Sequence, residues 1–260
     1  MLRTRRVGHA GTLDPGASGL LLLLAGRATR LMPFLAGLRK CYTGTLQLGV
    51  RTATDDASGT VIATDESWRQ LSDERLREAM LGLTGTLDQV PPAFSAKKLG
   101  GTPAHRRARR GETVALAPAR VAVHRFVFTA RDAAMVAFEA EVGSGTYVRA
   151  LARDLGEALG CGAHLVALRR TRVGPWRVED AAPLAALAAG DVPLRDMSVA
   201  VAHLPARPLT VAEHALVRHG RPVPGEAAGG GPVALLAEGH LVAIAVSRDG
   251  TLAPKVVLEA

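Results

Sequence analysis

Asp14 and His9 are the first residues of this chain whose types and spacing could do chemistry. They lie in Gly8-His9-Ala10-Gly11-Thr12-Leu13-Asp14-Pro15-Gly16-Ala17-Ser18-Gly19, which holds one carboxylate, one imidazole and four glycines in twelve residues. A carboxylate on a stiff loop can serve as nucleophile or base. Pro15 keeps Asp14 out of the helical region, because its ring clashes with the preceding backbone. Gly16 and Gly19 allow a sharp bend and a close approach of another backbone. The apolar run at residues 20–25 then reads as a buried strand that anchors the loop. An ordinary surface turn with a capping Asp would use the same residues. Types and spacing leave both readings open.

Other chemistry-bearing groups are less specific. Gly143-Ser144-Gly145-Thr146-Tyr147-Val148-Arg149 follows a strand-like run and precedes a helix ended by Gly160, the order found in phosphate loops. The Walker pattern is absent, however, and there is no GxGxxG. Asp55 and Asp56 could form a metal pair, but no further ligand lies at a useful spacing, so they read as hairpin-turn acids. His164 reads as a structural histidine at a strand start. Cys41 and Cys161 lie far apart with no Cys-x-x-Cys, which excludes a recognisable zinc module and makes reduced thiols the default.

The elements that must position these groups follow from periodicity. Residues 26–37 read as a short helix, with Pro33 near its start or at a kink and Leu31, Phe34, Leu35 and Leu38 as its core side. Residues 39–49 alternate as a strand carrying Tyr42. Residues 72–83 form a helix with Ser72 as N-cap and Leu76, Met80 and Leu83 as its stripe. Two strand-like runs fill residues 121–142, and an Ala-rich helix covers about 181–189. The tail has a short helix (VAEHALVRHG), a Gly-rich loop and two strands, PVALLAEG and LVAIAVSR.

The chain has 260 residues and 48% hydrophobic content, enough for one large domain or two smaller ones and too apolar for a disordered chain. Its 32 Lys and Arg against 24 Asp and Glu give a formal charge of +8. That balance, dominated by Arg, argues for a polyanionic partner, since Arg forks onto phosphate and stacks on bases. The densest basic window is His105, Arg106, Arg107, Arg109 and Arg110. Five basic side chains in six positions repel one another unless an anion lies opposite. The longest clearly apolar run is too short to span a bilayer, and no signal-peptide architecture precedes it, so the expected location is the cytoplasm.

Gly-His-Ala-Gly-Thr-Leu-Asp-Pro followed by Gly-Ala-Ser-Gly resembles the signature of the TruB family of tRNA pseudouridine synthases. Further matches follow in family order. They are Lys40-Cys41-Tyr42; the polar turn at residues 50–60; Gln89-Val90-Pro91-Pro92-Ala93-Phe94-Ser95-Ala96-Lys97, with Phe94 where the family usually has Tyr; Gly145-Thr146-Tyr147-Val148-Arg149; and residues 160–171. TruB-like chains usually carry a further strand and helix before the Gly-His motif, including a Lys-Pro-x-Gly segment. This sequence starts at the end of that region, so it reads as a shortened chain or one with a misassigned start.

The resemblance implies an α+β fold. A mainly antiparallel mixed sheet with flanking helices would form a catalytic domain over residues 1–200, with an RNA-gripping insertion at about 97–120. A small β-rich, PUA-like domain would follow over 201–260. It implies Asp14 as the catalytic carboxylate, Arg149 as its ion-pair partner, Tyr42 stacking on the target uracil, Tyr147 beneath the base and Leu168 against it. His9 would fill the gap left by the flipped base, and Arg106, Arg107, Arg109 and Arg110 would hold RNA phosphates without base readout. Pseudouridine formation breaks the N1–C1′ bond, turns the uracil and rejoins it through C5, so no cofactor and no metal are implied. A carboxylate near C1′ and C2′ can act as nucleophile or as base toward the C2′ proton, and a guanidinium beside it favours the charged form. The implied substrate is the T-loop uridine of tRNA conventionally numbered 55, met by a monomer with no obligate protein partner and no membrane. Two rival readings remain: a non-catalytic tRNA-binding or tRNA-folding protein, given the missing N-terminal segment, and a small-molecule α/β enzyme using the Gly143-Ser144-Gly145 turn.

Overall fold

Lys40–Leu48 alternates, with Tyr42, Leu46 and Leu48 buried on one face, the period of two that a half-covered strand requires. In the computed structural model, which describes residues 4–95, 97–99, 101–108, 110, 112 and 114–259, this strand is central to a seven-stranded sheet. The order is Trp176–Arg177, Ala163–Val173, Lys40–Leu48, Met135–Val142, Ala119–Asp132, Gly85–Gln89, every neighbouring pair antiparallel. The seventh strand, Ala17–Gly19, lies off this path and pairs in parallel with Ala163–Val173, placing Ala17 opposite Leu168 and Gly19 opposite Arg170.

Two helices pack on the buried face. Asp73–Gly82 starts at Ser72, whose hydroxyl accepts from Arg75 N, and contributes Leu76 and Met80. Val148–Leu159 buries Val148, Leu151, Ala152 and Leu155, the i, i+3, i+4, i+7 stripe of an amphipathic helix. Gly160 ends it in the left-handed region at φ 81°, where glycine carries no Cβ penalty. Phe126 and Phe138 meet edge to face at 5.4 Å inside this core.

The chain forms two compact units. One comprises Leu13–Leu20 and Leu38–Glu179; the other comprises the residues up to Thr12, Leu21–Gly37 and the chain from Asp180 on. The second unit holds a five-stranded sheet ordered Ala206–Pro208, Val233–Ala237, His240–Arg248, Thr251–Val257, Val223–Pro224. Its helix Val211–Val217 opens with a reciprocal capping box between Thr210 and Glu213. Leu31 is fully buried there with Val201, Ala234, Leu241, Ile244 and Leu258.

The fold class is the expected one: α+β, with mainly antiparallel sheets and a smaller β-rich part. Three details differ from the sequence reading. Residues 20–25 are not one buried strand. Leu21 and Leu23 are exposed, and Leu23–Ala25 pairs with Val7–His9 in the second unit. The sheet strand ends because Arg170 takes both polar groups of Leu20: Leu20 N donates to the Arg170 carbonyl at 2.8 Å, and Arg170 Nε donates to the Leu20 carbonyl at 2.7 Å. The tail has a further strand, Thr251–Val257, whose Pro254 sits beside a register shift opposite Ala245, the kind of position where a strand tolerates proline. The units part in the tail between Glu179 and Asp180, where sequence placed a divide near residue 200.

Candidate active site

Helix Val148–Leu159 begins beside the polar turn and the Asp14 loop, and its second residue, Arg149, is 5% exposed. A buried guanidinium needs an acceptor for each of its five N–H groups. Nε donates to Asp14 Oδ2 at 2.9 Å and Nη2 to Asp14 Oδ1 at 3.0 Å, a two-pronged pair. Nη2 also donates to the Phe94 carbonyl at 3.1 Å, and Nη1 to the Thr54 carbonyl at 3.0 Å. Asp56 Oδ2 lies 3.2 Å from Nη1. The carboxylate of Asp14 is thereby fixed in plane and orientation, yet its side chain is 36% exposed. The group is held from behind and open in front.

The acids of the polar turn differ from each other. Burial raises the Asp56 pKa, but hydrogen bonds from Ser58 Oγ, Thr54 Oγ1 and Ser58 N, with the Arg149 charge, outweigh it and leave the carboxyl below its ordinary value. For Asp55, burial dominates. Its pKa is raised despite Arg153, whose Nη1 is 3.2 Å from Asp55 Oδ2, and despite Arg149. Each acid of the pair thus belongs to a different arginine of one helix face, four residues apart.

Tyr42 lies one strand from this cluster, on the same sheet face as Leu168 and opposite Arg170. Arg170 is 1% exposed and reaches the Leu20 carbonyl and the Tyr42 hydroxyl. Burial raises the Tyr42 pKa; Arg170 pulls the other way, while the nearby Asp14 charge adds to the rise. The phenol therefore stays neutral across the physiological range. Burial, with the Arg170 charge, lowers the pKa of Lys40, whose ammonium donates to the Leu38 carbonyl at 2.8 Å. Gly44 is a space requirement on this strand: a Cβ there would stand 2.5 Å from Phe138 Cζ.

Of the residues singled out in sequence, Asp14, Arg149, Tyr42 and Leu168 gather on one side of the main sheet. Tyr147 immediately precedes the Arg149 helix, its backbone bonded to Gln89. His9 is exposed on Val7–His9, in the second unit. Arg106 is exposed; Arg107 Nε is 2.6 Å and Arg110 Nη1 is 3.9 Å from Glu112, so a local acid supplies part of the countercharge. Arg109 lies outside the described residues. His164 is buried, with Nδ1 3.0 Å from the Val50 carbonyl. Sequence reasoning missed Asp56, Thr54 and the Phe94 carbonyl as Arg149 partners, and Arg170 as the residue behind Tyr42. The only available signal was negative: a fully buried arginine must have such partners, but sequence does not show which arginine is buried.

Comparison with known proteins places the fold among the pseudouridine synthases. A profile of the TruB family pseudouridylate synthase N-terminal domain matches residues 1–148, and one of the tRNA pseudouridylate synthase B C-terminal domain matches residues 149–197. The chain belongs to the TruB family of pseudouridylate synthases and is an enzyme of the isomerase class. The tRNA pseudouridine synthase B of Thermobifida fusca (strain YX) is 45% identical over 263 residues, covering 98% of this chain and 89% of that protein. The protein of the same name from Nocardia farcinica (strain IFM 10152) is 44% identical, covering 99% and 86%. Among solved structures, a chain of an H/ACA RNP bound to a substrate RNA containing 2′-deoxyuridine matches in fold with TM-score 0.72 at 22% identity, over 99% of this chain and 77% of that one. A chain of a Cbf5-Nop10-Gar1 complex gives TM-score 0.70 at 25% identity, over 98% and 77%. Among the described residues, no helix is long and apolar enough to cross a membrane.

Proposed function

We propose that this enzyme converts uridine to pseudouridine in tRNA, at the T-loop position conventionally numbered 55, with Asp14 as the catalytic carboxylate. The observation that carries the reading is the Arg149–Asp14 pair, two hydrogen bonds at 2.9 and 3.0 Å that leave the carboxylate facing outward beside Tyr42. Flipping a base out of folded RNA costs on the order of a few kcal/mol, and stacking on aromatic rings returns about 1–3 kcal/mol per base. Tyr42 and Tyr147 supply those rings, Leu168 an apolar wall, and His9 the group that takes the vacated place in the RNA. Asp14 acts at C1′ or C2′ of the flipped nucleotide, and the uracil rejoins through C5 with no group gained or lost. Arg106, Arg107, Arg109 and Arg110 grip phosphates of the T-arm stem, in keeping with RNA recognition by shape and backbone. Names of the 44–45% identical relatives support tRNA as the substrate class.

The test is pseudouridine formation on a T-arm RNA hairpin by the chain and its Asp14→Asn variant. Conversion should vanish in the variant while RNA affinity stays within about threefold, because the carboxylate serves the chemical step more than binding. Full activity in Asp14→Asn sinks the proposed mechanism. A parent chain that binds the hairpin without converting it would point to RNA binding alone.

A further inference from the structure

Gln89 is 1% exposed, at the end of strand Gly85–Gln89. A buried primary amide must find partners for its oxygen and its N–H groups. Here both needs are met by one residue. Tyr147 N donates to Gln89 Oε1 at 2.9 Å, and Gln89 Nε2 donates to the Tyr147 carbonyl at 3.2 Å. This is the exchange that an opposing residue makes in an antiparallel sheet, performed by a side chain. The Tyr147 carbonyl also takes the helix bond from Leu151 N at 3.1 Å. Tyr147 itself is extended, φ −100° and ψ 114°, and provides no side-chain cap to the helix.

Holding the N–H and the carbonyl of one residue fixes both of its backbone dihedrals. For Tyr147 this sets the direction of its Cα–Cβ bond, from which the ring departs, and the starting angle of the helix that carries Arg149 two residues later. The segment after Gln89 adds two more ties to the same helix: the Val90 carbonyl accepts from Arg153 Nη2 at 2.8 Å, and the Phe94 carbonyl accepts from Arg149 Nη2 at 3.1 Å. Between them, Pro91 and Pro92 restrict the backbone.

We infer that Gln89 is a positioning residue for pseudouridine formation: by clamping both main-chain polar groups of Tyr147, its amide places Tyr147 for the substrate uracil and Arg149 for its pairing with Asp14. The inference rests on the site reading given under Proposed function, and Gln89 touches no reacting atom. A plain packing role would need only a side chain of the same size.

Gln89→Leu and Gln89→Glu separate the two, using single-turnover pseudouridine formation on the T-arm hairpin and RNA affinity measured in an Asp14→Asn background. Gln89→Leu keeps the bulk and loses both bonds. It should slow the single-turnover step by about 10- to 100-fold, the scale of a small misplacement of reacting groups. Affinity should move by less than about threefold, which assigns the loss to the chemical step. Gln89→Glu carries its own pH signature. Its carboxylate accepts from Tyr147 N but cannot donate to the carbonyl, whereas the protonated acid can do both. Burial raises such a carboxyl and the Arg149 and Arg153 guanidiniums on the facing helix pull it down, so the rate relative to the parent should recover as the pH is lowered from about 8 to about 5.

A Gln89→Glu rate that equals the parent's throughout, or that is equally low at every pH, overturns the inference. So does a Gln89→Leu defect that resides entirely in affinity. If Gln89→Leu fails to fold, the Gln89→Glu profile decides alone; if neither folds, Gln89 is a stability residue and the inference is overturned. An Asp14→Asn protein that stays active would refute the site reading instead, whatever the Gln89 variants do.

Discussion

Arg149 has two carboxylates and two carbonyls around its guanidinium, and a single ammonium could not satisfy that set. Lysine is a point charge on a flexible stem, whereas arginine offers a planar fork. Arg149→Lys should therefore keep the positive charge but let Asp14 rotate, lowering kcat on the T-arm hairpin by about 100-fold, with RNA binding little changed. The acids of the neighbouring turn give a second test. Asp56 is held below its ordinary pKa, so its ionised form adds stability above the ordinary carboxylate range, and that gain is lost as pH falls through the folded value. The difference in Tm between the parent and Asp56→Asn should be widest at neutral pH and close between about pH 5 and pH 2. Asp55 is shifted upward, so the sign reverses. Its contribution is present at low pH and lost as pH rises through the folded value. Asp55→Asn should leave the neutral-pH Tm equal or higher, which a paired pH series of melting curves would check.

At the scale of elements, what was legible was whatever obeys a period or a local rule. The Ser72 cap, the Leu76, Met80 and Leu83 stripe, the Gly160 stop and the alternation over residues 39–49 are local, and each formed where sequence put it. The misreadings came from non-local partners. The apolar run at residues 20–25 divides because Arg170, 150 positions away, closes both polar groups of Leu20. Of the site, the Asp14–Arg149 pair was legible only through the family motif, since the two residues are 135 positions apart and no spacing rule joins them. Asp56 and Gln89 were invisible as Arg149 and Tyr147 partners for the same reason. The short parallel strand Ala17–Gly19 is an exacting element. Gly19 has φ 101°, and a Cβ there would lie 2.2 Å from the Arg170 carbonyl oxygen. Gly19→Ala must push that strand off the sheet, and with it the segment that begins at Asp14. It should cost about 2 kcal/mol or more through backbone strain, read as a lower denaturation midpoint together with reduced pseudouridine formation.

Over the whole molecule, the formal charge of +8 implies binding through released counterions. Removing one arginine–phosphate pairing should flatten the slope of log affinity against log salt by about 0.7–0.9. Arg106→Glu/Arg110→Glu, changed together at exposed positions, should weaken binding to the T-arm hairpin and reduce that slope by one to two such steps. Titrations over a range of salt concentrations read both at once. An unchanged slope would move the phosphate-binding arginines elsewhere on the chain. The rate of the chemical step at saturating RNA should stay at the parental value, because the role proposed for these arginines is phosphate contact, which serves binding rather than the chemical step.

The chain passes from one unit to the other four times, after Thr12, Leu20, Gly37 and Glu179. For gene dissection, this means that no single breakpoint yields either unit as a self-sufficient module. A fragment ending at Glu179 would contain every residue of the Asp14–Arg149 site, yet it would strand Leu31, whose burial depends on Val201, Ala234, Leu241, Ile244 and Leu258. The two halves of this enzyme are woven from one thread, and recombination within the gene would have to carry both or lose both.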